Sequence, residues 1–127
     1  AAYRFSRFLS IESCGQCPPC KLGSSAITEH LERIETGTGT DQDLGEIARW
    51  LEHVTDGSRC YLATEEQVVV SSILRAFPEE FADHIESGTC PHPRRPMPKL
   101  LDLVDGHAHY DESFWRKRPD WTYAPAD

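Results

Sequence analysis

Cys14, Cys17 and Cys20 are each separated from the next by two residues, within Glu12-Ser13-Cys14-Gly15-Gln16-Cys17-Pro18-Pro19-Cys20-Lys21-Leu22-Gly23. Cys60 stands alone, with thirty-nine residues intervening. Three clustered thiolates and one remote thiolate form an all-sulfur donor set, and iron–sulfur clusters are the usual occupants of such sets. An iron–sulfur cube has four corners to be ligated. A tight loop with two-residue gaps supplies three of them, and the fourth comes from elsewhere in the fold.

The remaining thiol, Cys90, competes for the fourth position because Pro91 follows it, as proline often follows the remote ligand of bacterial ferredoxins. Cys90 lies beyond the helical region, so Cys60 is the expected ligand. Zinc is the alternative metal, since four thiolates also make a tetrahedral zinc site. Zinc sites usually draw on two separated pairs, and this arrangement is three plus one. Cys20 and Cys60 are both expected just before helices, starting near Lys21 and Thr64. Helix-start amides there, together with Lys21, would favour the extra negative charge of a reduced cluster.

Other chemistry is weaker. His107 and His109, with His92, are metal-ligand types but read as a surface loop. His30, His53 and His84 fall among charges on expected helices and read as solvated surface. Trp50 reads as core or partner contact. Gly37-Thr38-Gly39 is the sole glycine pair resembling a phosphate loop, but position 42 is Gln where a dinucleotide fingerprint needs Gly, so it reads as a turn. The cysteine pairs lack the βαβ setting of a redox Cys-x-x-Cys motif. No catalytic residue is expected in this chain.

The elements that must position the thiols read as helical. Tyr3, Phe5, Phe8 and Leu9 suggest the end of a helix over the first ten residues. Pro18 and Pro19 suggest a fixed turn. Leu22, Ala26, Ile27, Leu31 and Ile34 recur at helical intervals from about Lys21 to Glu35. Thr40 or Asp41 caps a helix with the stripe Leu44, Ile47, Ala48, Leu51 and Val54. Thr64-Glu65-Glu66-Gln67 has the form of a capping box before Val68, Val69, Ser72, Ile73 and Phe77. Pro78 opens a last helix, with Phe81, Ala82 and Ile85 buried and Gly88 at its end. The expected fold is all-α: a small four-helix bundle with the cysteine loop at one end and an irregular C-terminal arm. Residues 1–88 form the helical metal-binding domain and 89–127 a proline-rich linker and aromatic arm. Within the arm Leu100 to Val104 reads as one helical turn. Phe114, Trp115, Trp121 and Tyr123 suggest docking on a surface.

The chain has 127 residues, thirteen Lys and Arg, twenty-one Asp and Glu, and a net charge of −8. That length suits one domain, and the charge argues against nucleic acid and anionic membrane surfaces. No apolar run approaches the ~20 residues of a membrane span. No signal segment is evident and the five cysteines do not suggest a disulfide framework, so the expected location is cytoplasmic, with a peripheral place on a membrane complex left open.

The motif from Glu12 to Gly23, with Cys60 after Gly57-Ser58-Arg59 and the later Phe77-Pro78-Glu79-Glu80-Phe81, resembles the C-terminal iron–sulfur domain of the NADH-binding flavoprotein subunit of respiratory complex I. It is also similar to related subunits of NAD-dependent formate dehydrogenases and NAD-reducing hydrogenases. The resemblance covers about residues 3–88. It implies a helical bundle holding one [4Fe–4S] cluster on Cys14, Cys17, Cys20 and Cys60. It implies a module that relays single electrons from a reduced flavin to a further iron–sulfur acceptor. FMN and NAD would lie on a partner domain or subunit. Lys21 replaces the family's usual arginine, and Tyr61 stands where a small residue is usual beside the fourth ligand. An alternative role is a structural or interaction module in which zinc or a permanent cluster staples the bundle and the arm docks a partner.

Overall fold

The computed structural model of the chain describes residues 1–92 and 97–119. Five α-helices are followed by a β-hairpin and one 3-10 turn: α1 (Ala2–Glu12), α2 (Pro18–Glu35), α3 (Asp41–His53), α4 (Leu62–Ala76), α5 (Pro78–Ser87), β1 (Leu100–Val104), β2 (His107–Tyr110) and η1 (Phe114–Arg116). The fold is mostly helical, but in place of the expected four-helix bundle with an irregular arm the described residues form five helices and a two-stranded sheet. The N-terminal segment is helical from Ala2 to Glu12.

Helix α2 is the central element, packed against α1, α3, α4 and α5. Ile27, Leu31 and Ile34 of α2, Ile47 and Leu51 of α3, Val54, and Ala63 and Val70 of α4 form the core. Leu22, expected in the α2 stripe, is half exposed. Gly23 takes the inward position instead. A methyl group there would lie 2.9 Å from Val54 Cγ2, so glycine is what lets α2 approach the end of α3.

Pro18 and Pro19 occupy the first two positions of α2 rather than a separate turn. Their missing N–H groups cost nothing there, because first-turn amides have no intrahelical partner. Helix α3 starts as expected at Thr40. The Thr40 amide donates to Asp43 Oδ2 (2.8 Å) and the Asp43 amide to the Thr40 carbonyl (2.9 Å). Asp43 is buried and also meets His30 Nδ1 at 2.7 Å, so His30 ties α2 to α3 and is not simple solvated surface. Burial alone would raise the Asp43 carboxyl, but the His30 and Thr40 hydrogen bonds and Arg33 hold it below its usual range.

Helix α4 departs most from expectation. It starts at Leu62, with no side-chain cap from Thr64. Tyr61 already has helical dihedrals, and its carbonyl accepts from the Glu65 amide at 2.8 Å. Gln67, expected to cap, donates instead to the Leu51 carbonyl of α3 at 2.7 Å. The buried face is Ala63, Glu66 and Val70, whereas Val68 and Phe77 are more than half exposed. Helix α5 buries no residue fully; Phe81 and Ile85 are half-buried, and Ala82 is exposed. Gly88 ends it in the left-handed conformation.

Leu100 to Val104 is a strand, not a helical turn. It pairs antiparallel with β2, Val104 opposite His107, through Asp105 (φ 50°) and Gly106 (φ 76°). Two adjacent left-handed residues form the two-residue turn whose twist matches a hairpin. The arm docks on α1. Phe114 is fully buried, with its ring 5.2 Å from that of Phe8. Arg7 donates to the carbonyls of Phe114 (3.2 Å) and Lys117 (2.9 Å). Trp121 and Tyr123 lie outside the described residues.

Candidate metal centre

Two segments build the site. The first is the loop that leaves α1 at Glu12 and enters α2 at Pro18. The second is the connection from α3 to α4. Gly15 turns the first through a left-handed conformation (φ 76°). Cys17 is the N-cap of α2, and Cys20 lies in its first turn. Cys60 lies two residues before α4. Cys14, Cys17, Cys20 and Cys60 all line one cavity, together with Ser13, Ser58, Arg59, Leu62 and Ala63. Cys20 is buried, Cys17 half-buried, and Cys14 and Cys60 exposed, and all are free thiols. Cys90 is not with them. It lines a separate cavity of about 390 Å³ near Tyr3, Phe81 and His84.

Among the described residues no three His, Cys, Asp or Glu side chains converge to hold a single metal ion. Thiolates around one zinc ion stand about 3.8 Å apart, as Zn–S bonds of about 2.3 Å in a tetrahedron require. The cavity the four thiols share is small, about 20 Å³. The all-sulfur donor set suits iron.

Burial pushes the Cys20 thiol up; the neighbouring Cys60, Cys17 and Cys14 add to this, while the Ser13 hydroxyl, 3.4 Å from Cys20 Sγ, opposes it. A metal must therefore displace a firmly held proton to take Cys20 as thiolate. Positive charge is at hand. Lys21 is fully buried, and its Nζ donates to the carbonyls of Ser10 (3.0 Å) and Ser13 (2.8 Å). Those carbonyls end α1, so Lys21 clamps the cysteine loop to the negative end of that helix. Arg59 lines the cavity itself.

The expected ring of helix-start amides is thinner than anticipated. Pro18 and Pro19 have no N–H, and the Lys21 amide is taken by the Cys17 carbonyl at 3.1 Å. Tyr61 is 80% exposed and points to solvent rather than over the site. His107 and His109 lie on an exposed strand, not a loop, and His92 meets Glu80 (3.5 Å) instead of joining them. Trp50 is half-buried against the core, with the Arg49 guanidinium 5.0 Å from its ring.

Sequence reasoning missed Arg59, the clamping role of Lys21, and Glu66. Glu66 is fully buried on α4; its Oε1 accepts from Ser6 Oγ at 2.5 Å. Charged residues ordinarily signal surface, so no pattern in the chain marks these as interior.

The NADH-ubiquinone oxidoreductase-F iron-sulfur binding region family matches residues 1–84. The F subunit of the NADH-quinone oxidoreductase of Mycobacterium tuberculosis (strain H37Rv) is 31% identical over 105 residues, covering 83% of this chain and 24% of that protein. NADP-reducing hydrogenase subunit HndC of Solidesulfovibrio fructosivorans is 33% identical over 87 residues, 68% of this chain and 18% of that protein. The NADH-quinone oxidoreductase F subunit of Streptomyces coelicolor is 33% identical over 91 residues, 72% of this chain and 20% of that protein. The chain thus spans a quarter or less of the length of these relatives. The cysteine loop, the remote Cys60 and the match over 1–84 lead to one family: this chain belongs to the NADH-ubiquinone oxidoreductase-F iron-sulfur binding region, a 4Fe-4S domain.

Proposed function

We propose that Cys14, Cys17, Cys20 and Cys60 ligate one [4Fe–4S] cluster and that the chain is an electron-transfer module. When bound, such a cluster accepts and releases one electron at a time. The protein's own part is ligation, positioning and charge. Cys17 and Cys20 are held by the first turn of α2, Cys60 by the entry to α4, and Lys21 locks the loop that carries Cys14. Lys21 and Arg59 favour added negative charge at the site. Residues 1–88 act as the metal-binding unit, and within the arm Phe114 packs on α1.

The observation that carries this reading is the single cavity shared by the four thiols, with Cys90 on another. The named relatives are subunits of NADH-quinone oxidoreductases and a hydrogenase. In that setting a reduced flavin on an NADH-binding domain or subunit is the donor and a further iron–sulfur centre the acceptor. Among the described residues no helix is long and apolar enough to cross a membrane, which fits a peripheral position in such an assembly.

Anaerobic purification with iron and sulfide analysis tests the reading. About four irons and four sulfides per chain are expected, with an EPR signal after dithionite reduction. A colourless protein holding one zinc would overturn it and leave a metal-stapled interaction module.

A further inference from the structure

We propose that Glu66 is a redox-linked proton site, taking up a proton at Oε2 when an electron is added at the cysteine centre and releasing it on oxidation. The inference rests on the cluster ligation proposed above.

The placement of Glu66 carries the argument. Leu62 and Ala63 line the cysteine cavity, and Glu66 follows them by four and three residues on the same helix. Positions so related share one face, so Glu66 lies about one turn, roughly 5 Å, beyond the cavity floor. The carboxyl is fully buried, and Oε2 has no hydrogen-bond partner among the described residues. Ser6 Oγ serves Oε1 and also meets Thr28 Oγ1 at 2.8 Å, and Thr28 donates to the Ser24 carbonyl at 2.7 Å. Ser24 lies one turn beyond Cys20 on α2. A short polar seam of Ser6, half-buried Thr28 and the Ser24 carbonyl therefore joins α1 and α2 to this carboxyl.

Lys21 is the buried cation of α2, held on the Ser10 and Ser13 carbonyls. From α1, Ser6 and Ser10 are buried hydroxyls, while Arg4 pairs with Glu35 and Arg7 with the arm. Helix α3 faces α4 through Leu51, whose carbonyl is bound by Gln67. Asp43 sits at the far end of α3 with His30 and Arg33, and His53 and Asp56 form an exposed pair past its near end. On α5, which also packs against α4, the titratable residues Glu79, Glu80, Asp83, His84 and Glu86 are none of them fully buried.

The ionised carboxylate is buried with one oxygen unpaired, and the neutral acid is buried with a weakly served hydroxyl. Burial pushes the acid up to about 7, with the Ser6 hydrogen bond opposing. The two forms are thus close to balance near neutral pH. A negative charge added at the cysteine centre, felt through the low dielectric of the interior, shifts that balance toward the acid. The electron comes from reduced flavin in the assembly, or from dithionite in vitro, and the proton from water. Oxidation returns both.

The test is an EPR-monitored redox titration of the intact protein, purified anaerobically, from about pH 6 to pH 9. The midpoint potential is expected to fall with rising pH through the neutral range, by at most tenfold in the reduction equilibrium per pH unit, which is 59 mV for one electron. Glu66→Gln, always neutral, should give a flat profile matching the wild type at low pH and lying above it at high pH, with iron and sulfide unchanged. A flat wild-type profile overturns the proposal, as does a slope that persists in Glu66→Gln. Should that variant fail to fold, redox-difference infrared spectra decide. A protonated-carboxyl band that appears on reduction and shifts with ¹³C-glutamate labelling is expected, and its absence overturns the proposal. Protein without iron and sulfide overturns the ligation itself, and this inference with it, a result distinct from a loaded protein with a flat profile.

Discussion

The ammonium of Lys21 lies 2.8 Å from the carbonyl oxygen of Ser13, in the interior, beside the first cysteine of the site. The same Nζ holds the Ser10 carbonyl, so one buried cation fixes the exit of α1, the cysteine loop and the first turn of α2 relative to each other. Replacing Lys21 with Met keeps most of the stem and strips both carbonyls of their donor. Each buried acceptor left unpaired costs about 1–3 kcal/mol. Lys21→Met should melt several degrees below the wild type and lose iron faster to a chelator. Equal melting and equal iron retention would show that the clamp contributes nothing.

Gly23 should not tolerate a side chain. A methyl group there meets Val54 Cγ2 at 2.9 Å and Val54 Cβ at 3.1 Å, closer than packed carbons lie. Overpacking of this kind costs about 1–3 kcal/mol. Gly23→Ala should lower stability by that amount in urea unfolding, and Val54→Ala in the same chain should restore part of it. An unchanged midpoint for Gly23→Ala would refute the close approach.

Glu66 makes stability depend on pH. Its acid form is favoured in the folded protein, where it titrates near about 7, against 4.5 as the ordinary value. The folded state therefore holds the proton more tightly than the unfolded chain. The contribution is fully present below about pH 4.5 and is lost as pH rises through about 7. The full loss is on the order of 3 kcal/mol. Glu66→Gln should be close to the wild type at pH 5 and more stable at pH 8. A stability difference independent of pH would contradict this.

The docked arm should be separable from the metal site. Phe114 is fully buried beside Phe8, and truncating a buried Phe costs roughly 3–5 kcal/mol of packing. Phe114→Ala should expose residues 97–119 to limited proteolysis while leaving iron content unchanged. Loss of iron in this variant would mean that the arm supports the centre directly.

The elements whose apolar residues recur cleanly are legible in the chain. Thr40 does start α3, and Gly88 does end α5. Helix α4 reads out of phase because a glutamate occupies the middle of its buried face, so the stripe Ala63-Glu66-Val70 does not look apolar. The hairpin carries its own signal, Asp105-Gly106, which the run of prolines before it, Pro91, Pro93, Pro96 and Pro98, obscures. At the centre, the spacing of Cys14, Cys17 and Cys20 marks a binding loop in any context. The approach of Cys60 depends on how α3 and α4 pack, which no local pattern encodes. Lys21 and Glu66 are hidden for one reason: their burial depends on specific partners, two carbonyls for one and a serine for the other.

The most direct measurement is iron and sulfide analysis of wild type, Cys60→Ser and Cys90→Ser, purified side by side without oxygen. About four irons and four sulfides per chain are predicted for the wild type and for Cys90→Ser, and loss of the cluster for Cys60→Ser. A cluster that survives in Cys60→Ser and disappears in Cys90→Ser would contradict the account.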